Sequence, residues 1–276
     1  MILIRSCQGF DELQACVDLQ IEVWGYSDGD VIPRRVFLVA QKIGGQVIGA
    51  FDTDLPDASE QGNAASLIGF AFSLPGVKTG VKSSTGRPES YLHSHMLAVK
   101  EGYRDRSIGS RLKLAQRDEA RSRGFTRMEW TFDPLEIKNS FLNIHKLGAI
   151  VRTYIPDFYG VSSSRLQGGL PTDRLVAEWW LSSPRVLATI EGAPASVEAA
   201  TEEIVVPAAI YQWKADDQQR DQARKVQAEN RLHFQQAFSQ GLAVVAFTRD
   251  AEGNGIFHLG KWIEPDPRPI SSSEQP

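Results

Sequence analysis

The stretch from His93 to Ala120, HSHMLAVKEGYRDRSIGSRLKLAQRDEA, most constrains what this chain can fold into. Its first seven residues, which end at Val99, are typical of a β-strand. A polar turn rich in arginine and glycine follows. The last part has the pattern of an amphipathic helix, with apolar residues at i, i+4 and i+7: Ile108, Leu112 and Ala115. The sequence therefore predicts a strand that passes through a polar turn directly into a helix.

This strand–turn–helix unit is suited to binding phosphate. The first N–H groups of a helix have no partner within the helix, and the helix dipole favours negative charge at that end. Arg104 and Arg106 place two positive charges beside the predicted helix start. The basic residues further along the helix are typical of a solvated helix face: Arg111, Lys113, Arg117, Arg121 and Arg123.

The turn resembles a known cofactor-binding loop. Its sequence Arg104-Asp105-Arg106-Ser107-Ile108-Gly109 is similar to the Arg/Gln-x-x-Gly-x-Gly/Ala loop of the GCN5-related N-acetyltransferase (GNAT) superfamily, which binds the pyrophosphate of acetyl-CoA. Ser107 replaces the first glycine of that motif. A serine is tolerated there at negative φ but would be strained at positive φ.

A second segment carries the same resemblance. Residues 139–148, NSFLNIHKLG, resemble the asparagine-containing helix that follows the fifth strand in the superfamily, whose asparagine bonds the pantetheine arm. Asn139 and Asn143 are the two candidates here. The stretches YLHSHMLAV, WTFDPLEIKNSFLNIHKLGA and YIPDFYG further resemble a bacterial subgroup of predicted acyltransferases with a C-terminal extension. Some members of that subgroup are linked by genome neighbourhood to amino-acid N-acylation.

The resemblance, which covers about Ile2 to Leu181, implies where an acyl-CoA would bind. The fourth strand would pair with pantetheine and supply a backbone N–H to the thioester oxygen. The following loop would bind the pyrophosphate. The implied acyl-CoA contacts, besides the two asparagines, are Leu97, Ala98, Val99, Arg104, Asp105, Arg106, Ser107, Ile108, Gly109 and Ser110.

One position departs from the superfamily in a way that matters for chemistry. The family often has a tyrosine four residues before the glycine of the asparagine-containing helix, as the acid that protonates the leaving thiolate. That position is Ile144 in this chain. Either solvent protonates the thiolate or another residue does, and three candidates remain open: His145, Tyr154 and Tyr159.

Two histidines in the predicted strand are candidates for the general base. An alkylammonium has a pKa near ~10, so the acceptor amine must lose a proton before it attacks. His93 and His95 are two apart, share a face of the strand, and titrate near neutral pH. Glu101 and Asp133 could instead act through a water. The alternative for the histidines is one core histidine and one orienting neighbour.

Composition limits the class of partner. The 276 residues carry a net charge of −4, which gives no reason to expect nucleic acid or an anionic membrane as partners. The sequence contains no segment of transmembrane length and no signal-peptide hydrophobic region. Cys7 and Cys16 have neither disulfide-framework nor metal spacing. We therefore expect reduced, buried cysteines in a cytoplasmic protein.

The predicted element order is β-α-(α)-β-β-β-α-β-α-β-β over residues 1–181, which favours an α/β or α+β fold with a mixed sheet. The resemblance implies a GNAT-like, mostly antiparallel sheet flanked by helices. Residues 182–201 are predicted as a linker, 202–263 as a strand–helix–hairpin segment, and 264–276 as a disordered tail. The narrow apolar stripe of the helix predicted at 216–240 needs cover from the first domain or from a second subunit, as in a homodimer.

The function implied is an acyl-CoA-dependent N-acyltransferase. The acyl group would be acetyl or larger, such as succinyl, and the acceptor a small primary amine such as an amino acid, attacking directly in a ternary complex. Two other classes compete. One is a catalytically inactive CoA-binding regulator or scaffold, and the other a metal enzyme using His93 and His95. The metal enzyme would need a third ligand, and no other histidine has ligand spacing, so no metal is expected.

Overall fold

Ten strands form one sheet in the computed structural model, which describes residues 1–26, 29–82, 88–160, 167–193, 196–198 and 200–263. The strands are β1 (Ile2–Ser6), β2 (Gln46–Asp52), β3 (Leu67–Lys82), β4 (Pro88–Val99), β5 (Arg127–Phe132), β6 (Ile150–Ile155), β7 (Arg174–Trp180), β8 (Ala200–Val206), β9 (Leu242–Arg249) and β10 (Gly255–Lys261). Their spatial order is β1-β2-β3-β4-β5-β7-β6-β9-β10-β8. The predicted tail at 264–276 lies outside the described residues.

The helices are α1 (Gly9–Trp24), α2 (Arg34–Lys42), α3 (Ile108–Ser122), α4 (Ile137–Ser140), α5 (Pro184–Ile190), α6 (Ile210–Ala215) and α7 (Arg220–Ser239). Helix α4 continues as a π-helical segment, Phe141–Lys146. None of the described helices combines the length and the apolar character needed to cross a membrane.

Opposite faces of the sheet carry different helices. Phe72 on β3 packs edge-on against Phe37 of α2, with ring centroids 4.8 Å apart. Its neighbour Ala71 packs in a separate cluster with Leu112 of α3. Successive side chains of a strand point to opposite faces, so α2 covers one face and α3 the other. The predicted mixed, mostly antiparallel sheet flanked by helices is confirmed.

The pairing of β4 with β5 is parallel, whereas the other neighbouring strands for which a register is seen run antiparallel. Only two residue pairs join β4 to β5, Leu92 with Met128 and His93 with Glu129. Beyond these pairs the two strands diverge towards the carboxyl end of β4. The sheet therefore opens at its centre.

The C-terminal strands extend this same sheet. Val244 of β9 pairs with Val151 of β6, and β10 and β8 follow outwards. Helix α7 contributes Phe234 to the cluster that contains Tyr154 and Trp179. The apolar stripe of α7 thus packs on the first part of the chain.

Three local predictions differ from the structure. The glycines and prolines of residues 75–90 are typical of a loop, but residues 75–82 belong to β3 and residues 88–90 to β4. The predicted linker 182–201 contains α5, because the Ser-Ser-Pro sequence forms a helix start. Ser183 accepts from the N–H of Val186 as N-cap, and Pro184 is the first helical residue. Asp11 is a residue type typical of an N-cap, but helix α1 begins at Gly9 and Asp11 lies in its first turn.

Candidate active site

A β-bulge turns strand β4 at His95. On β3, Phe72 pairs with Met96 and Ser73 pairs with Ser94, so His95 has no opposing residue there. A bulge adds one residue to a strand, bends it and redirects its side chains. Here the bend lies just past the last pair that joins β4 to β5. It therefore contributes to the opening between the two strands.

The opening contains a cavity of about 480 Å³. Its walls come from β4 and from the end of β5: Ser94, His95, Met96, Leu97, Trp130, Thr131, Phe132 and Asp133. Trp24 at the end of α1 lines it on one side, and Lys113 of α3 and Leu142 of the π-helical segment line it on the other. Trp24 packs in the cluster of Phe37 and Phe72 on the α2 face, whereas α3 covers the other face, so the cavity passes through the sheet.

The predicted phosphate loop lies next to this cavity. A Cβ at Gly109 would lie 3.6 Å from Leu97 and 3.9 Å from Leu142, and both of these residues line the cavity. The first backbone hydrogen bond of α3 runs from the N–H of Arg111 to the carbonyl of Ser107. The preceding N–H groups, those of residues 108–110, are thus the free donors of the helix start.

Ser107 sits in the left-handed region at φ 59°, and Asp105 does so at φ 61°. The loop therefore requires positive φ where the resemblance places a glycine, and Ser107 carries backbone strain of about 1–3 kcal/mol. The loop is held by neighbouring contacts. Tyr103 donates a 2.7 Å hydrogen bond to Asp52, and Lys138 pairs with Asp105 at 3.2 Å. Arg104 and Arg106 are exposed beside the helix start.

Both predicted asparagines line the cavity. Asn143 is buried and lies on the π-helical segment, a rare conformation that is frequent at functional sites. Asn139 is exposed at the end of α4. The structure thus brings both candidates to the side of the cavity opposite β4.

The two histidines lie on one face of β4, with ring centroids 5.8 Å apart. His95 lines the cavity, whereas His93 does not. Burial, with the nearby charges of His95 and Lys113, lowers the pKa of His93 to about 4. Burial also lowers the pKa of His95. Both imidazoles are therefore neutral at pH 7, the state in which a histidine can accept a proton.

Tyr154 lies away from this cavity. Its hydroxyl donates to Asp173, which is fully buried and also binds Arg231 at 2.7 Å. Burial and the Asp173 carboxylate raise the pKa of Tyr154. The ring of Tyr154 stacks on Phe234. The structure therefore gives Tyr154 a place in the core between β6 and α7 and does not bring it to His95.

Of the other candidate acids and bases, two line the cavity and two lie outside it. Tyr159 lines the cavity, and its hydroxyl is 3.0 Å from the hydroxyl of Thr131. Asp133 also lines it, but Lys214 binds its carboxylate at 3.1 Å. His145 stacks on Phe141 and Glu101 is exposed, both outside the cavity. Within the described ranges, no group of three or more His, Cys, Asp or Glu residues could hold a metal ion.

Lys113 is a buried residue of the site that the sequence motifs do not identify. The basic pattern of α3 predicts a solvated face, yet the side chain of Lys113 is only 2% exposed. A signal was present in the spacing. Lys113, Arg117 and Ala120 recur at i, i+4 and i+7, and all three are buried. This stripe lies beside the apolar stripe and widens the buried face of the helix.

No family model matches the chain, and no curated protein matches it. Among solved structures, the acetyl-CoA complex of NAA60 from Arabidopsis thaliana is similar, with a TM-score of 0.53 and 14% identity over 66% of this chain and 100% of that chain. The ribosomal-protein-S18-alanine N-acetyltransferase from Escherichia coli gives a TM-score of 0.45 and 14% identity over 66% of this chain and 96% of that one. The chain has the fold of the GCN5-related N-acetyltransferases.

Proposed function

We propose that this chain is an acyl-CoA-dependent N-acyltransferase that transfers an acetyl group, or a larger acyl group such as succinyl, to a small primary amine. One observation carries the proposal. A free helix start flanked by two exposed arginines adjoins a cavity that passes through the sheet between diverging strands. Two substrates can therefore approach the same point from opposite faces.

The phosphates of the acyl donor would bind at the start of α3. The N–H groups of residues 108–110 point out of the helix, and Arg104 and Arg106 add positive charge beside them. Asp105 would repel a pyrophosphate, but Lys138 pairs with it and offsets that charge. The loop thus presents a net positive site despite its acidic residue.

The pantetheine arm would occupy the opening along β4. Pairing with β5 ends at His93 and Glu129, so the edge of β4 from Leu97 to Val99 faces the opening, within the described part of the sheet. An extended amide-containing arm can pair with such an edge as an added strand does. Asn139 and Asn143 face the same opening from the other side and can bond its amides.

The acceptor amine would enter from the α1 side. His95 faces the cavity and is neutral, so it can take the proton that the amine loses as it attacks the thioester carbon. Arg174 lines the same cavity, held by the carbonyl of Asp173 and the side chain of Gln167. Its guanidinium could bind the carboxylate of an amino-acid acceptor.

The test is calorimetric titration with CoA, acetyl-CoA and succinyl-CoA, followed by thiol release over a panel of primary amines with and without a chelator. Binding together with chelator-insensitive turnover supports the proposal. Binding without turnover on any amine would favour a catalytically inactive CoA-binding regulator or scaffold. Absence of binding to all three compounds would refute the site assignment.

A further inference from the structure

Lys113 is a buried basic side chain without a carboxylate partner in the described part of the chain. Its Nζ donates a 2.7 Å hydrogen bond to the hydroxyl of Ser94 and lies 3.6 Å from the ring centroid of Trp130. Lysines are rarely buried unless they are paired with a carboxylate. Lys214, the other buried lysine at this site, follows that rule by binding Asp133 and Glu136. The different environment of Lys113 needs a functional explanation.

The position of Lys113 points to the reacting end of the acyl donor. Helix α3 starts at the phosphate loop and runs back along β4, so Lys113 lies about 7.5 Å inward from Ile108 along the helix axis. Ser94, its hydrogen-bond partner, is likewise inward of the Leu97–Val99 edge proposed for pantetheine. Lys113 lines the cavity at this depth. A pantetheine arm that starts at the loop and runs along β4 would bring its sulfur towards Lys113.

The site otherwise has few groups that could protonate a departing thiolate. Ile144, at the position where the superfamily often has a tyrosine, is buried in the core and carries no proton to give. Tyr154 and His145 lie outside the cavity. Tyr159 lines it, but its hydroxyl already bonds Thr131 and its side chain is exposed.

We propose that Lys113 is the proton donor to the CoA thiolate, which rests on the acyltransferase function proposed above. The amine nitrogen attacks the thioester carbon, and the C–N bond forms. The C–S bond then breaks, with its electron pair on sulfur. The Lys113 ammonium gives one proton to that sulfur and becomes a neutral amine. The acceptor nitrogen loses its proton to His95, and solvent exchange then restores the proton of Lys113.

The surroundings of Lys113 tune it for this exchange. Burial lowers the pKa of Lys113 well below that of an ordinary lysine, which eases the loss of its proton. His93 and His95 on β4 are neutral and add no repulsion, and the face of Trp130 favours the ammonium. Asp133, an acidic residue that lines the same cavity, is bound by Lys214. A developing thiolate would then be the counter-charge.

Ser94 orients the amine for this role. Its hydroxyl donates its own proton to the side-chain oxygen of Gln116 at 2.9 Å, so the Ser94 oxygen is left to accept from Lys113. One N–H of Lys113 is thereby directed at β4. The remaining positions on the nitrogen are available to the cavity that it lines.

The experiment compares Lys113→Met and Lys113→Arg with the wild type, using the best amine from the panel. Methionine fills the site without a proton, and arginine keeps the charge but holds its protons too tightly to transfer them. We expect both variants to lower kcat with acyl-CoA by about 10²-fold. The Kd for CoA should change little. Lys42→Met, an exposed lysine on α2, is the control and should match the wild type.

A second donor separates proton transfer from positioning. A thiophenol thioester releases a more acidic thiol than CoA, and its thiolate needs less protonation as it leaves. We therefore expect kcat of the variants to fall less than tenfold with this donor. Equal losses with both donors, or full activity of Lys113→Arg, would overturn the role of Lys113. If the wild type releases no thiol with any amine, the proposed function fails, and the role of Lys113 fails with it.

The wild type provides a measurement that does not depend on folding of the variants. Its kcat with acyl-CoA should fall at alkaline pH, with an apparent pKa below 10.5, because Lys113 loses its proton there. The fall should be weaker with the thiophenol donor. An equal decrease of kcat at alkaline pH with both donors would contradict proton donation by Lys113.

Discussion

The hydroxyl of Ser94 on β4 donates a 2.9 Å hydrogen bond to the side-chain oxygen of Gln116 on α3. This bond belongs to a buried polar network. Gln116 also accepts, through its backbone carbonyl, from Gln46 on β2, and Gln46 in turn accepts from Ser73 on β3. With Lys113 bound to Ser94, the network joins three strands to helix α3.

Ser94→Ala tests this network. The change leaves the Gln116 oxygen and the Lys113 nitrogen buried with one partner fewer, so we expect the free energy of unfolding to fall by about 1–3 kcal/mol. Urea denaturation followed by circular dichroism measures it. Ser122→Ala, on the exposed face of the same helix, should change stability by less than about 0.5 kcal/mol. Equal effects of the two changes would show that the network is not stabilising.

Ser107 tests the backbone of the proposed phosphate-binding loop. At φ 59°, a β-branched residue is disfavoured and glycine is not, so Ser107→Val should be less stable than Ser107→Gly by about 1–3 kcal/mol. The valine variant should also bind CoA more weakly, because relieving the strain moves the free N–H groups. Thermal denaturation and calorimetry give the two quantities. At Ser122, in right-handed helical backbone, we expect valine and glycine to differ by less than this.

Arg104 and Arg106 test the charge of the loop. If both contact phosphate, the double change to alanine should weaken CoA binding by about 2–4 kcal/mol, since each charged hydrogen bond contributes ~1.5–3 kcal/mol and the two are not fully additive. Calorimetry with CoA measures the loss. Arg123→Ala, at the far end of α3, is the matched control and should leave the Kd unchanged. An unchanged Kd in the double variant would remove the phosphate site from this loop.

His95→Ala tests the base. Burial lowers the pKa of His95 below 6.5, so more than half of its imidazole is neutral at pH 6.5 and can take the proton of the amine. At pH 9 a larger fraction of the amine is already unprotonated, so the rate loss should be larger at pH 6.5 than at pH 9. Steady-state kinetics at both pH values measure the two losses. A loss that does not vary with pH would instead indicate that His95 positions the substrate.

His93 tests the link between burial and pH-dependent stability. Its pKa of about 4 in the folded chain is below the usual 6.5, so the unfolded chain binds the proton more tightly. The folded state therefore keeps this stability above pH 6.5 and loses about 3 kcal/mol as the pH falls to 4. His93→Gln should flatten that part of the profile in urea denaturation between pH 7 and pH 4. Identical slopes for both proteins would contradict the assignment.

Local periodicity was sufficient to predict most of the strands and helices. Strand β6 and the hairpin of β9 and β10 lie where alternating apolar residues predict strands, and α3 begins at Ile108 as expected. These elements depend on residues near one another in the chain, so their pattern is visible without the fold. The loop motif around Ser107 was recognisable for the same reason.

By itself, the sequence determined the order of the elements, the polar turn that leads from β4 into α3, and the pair of histidines on one strand face. Only the tertiary structure decided that His95 lies at a bulge, that Tyr154 is bound to Asp173 in the core, and that Lys113 is buried. Each of these depends on a partner distant in the chain. Strand divergence, burial and pKa are set by contacts between distant segments, which no local pattern contains.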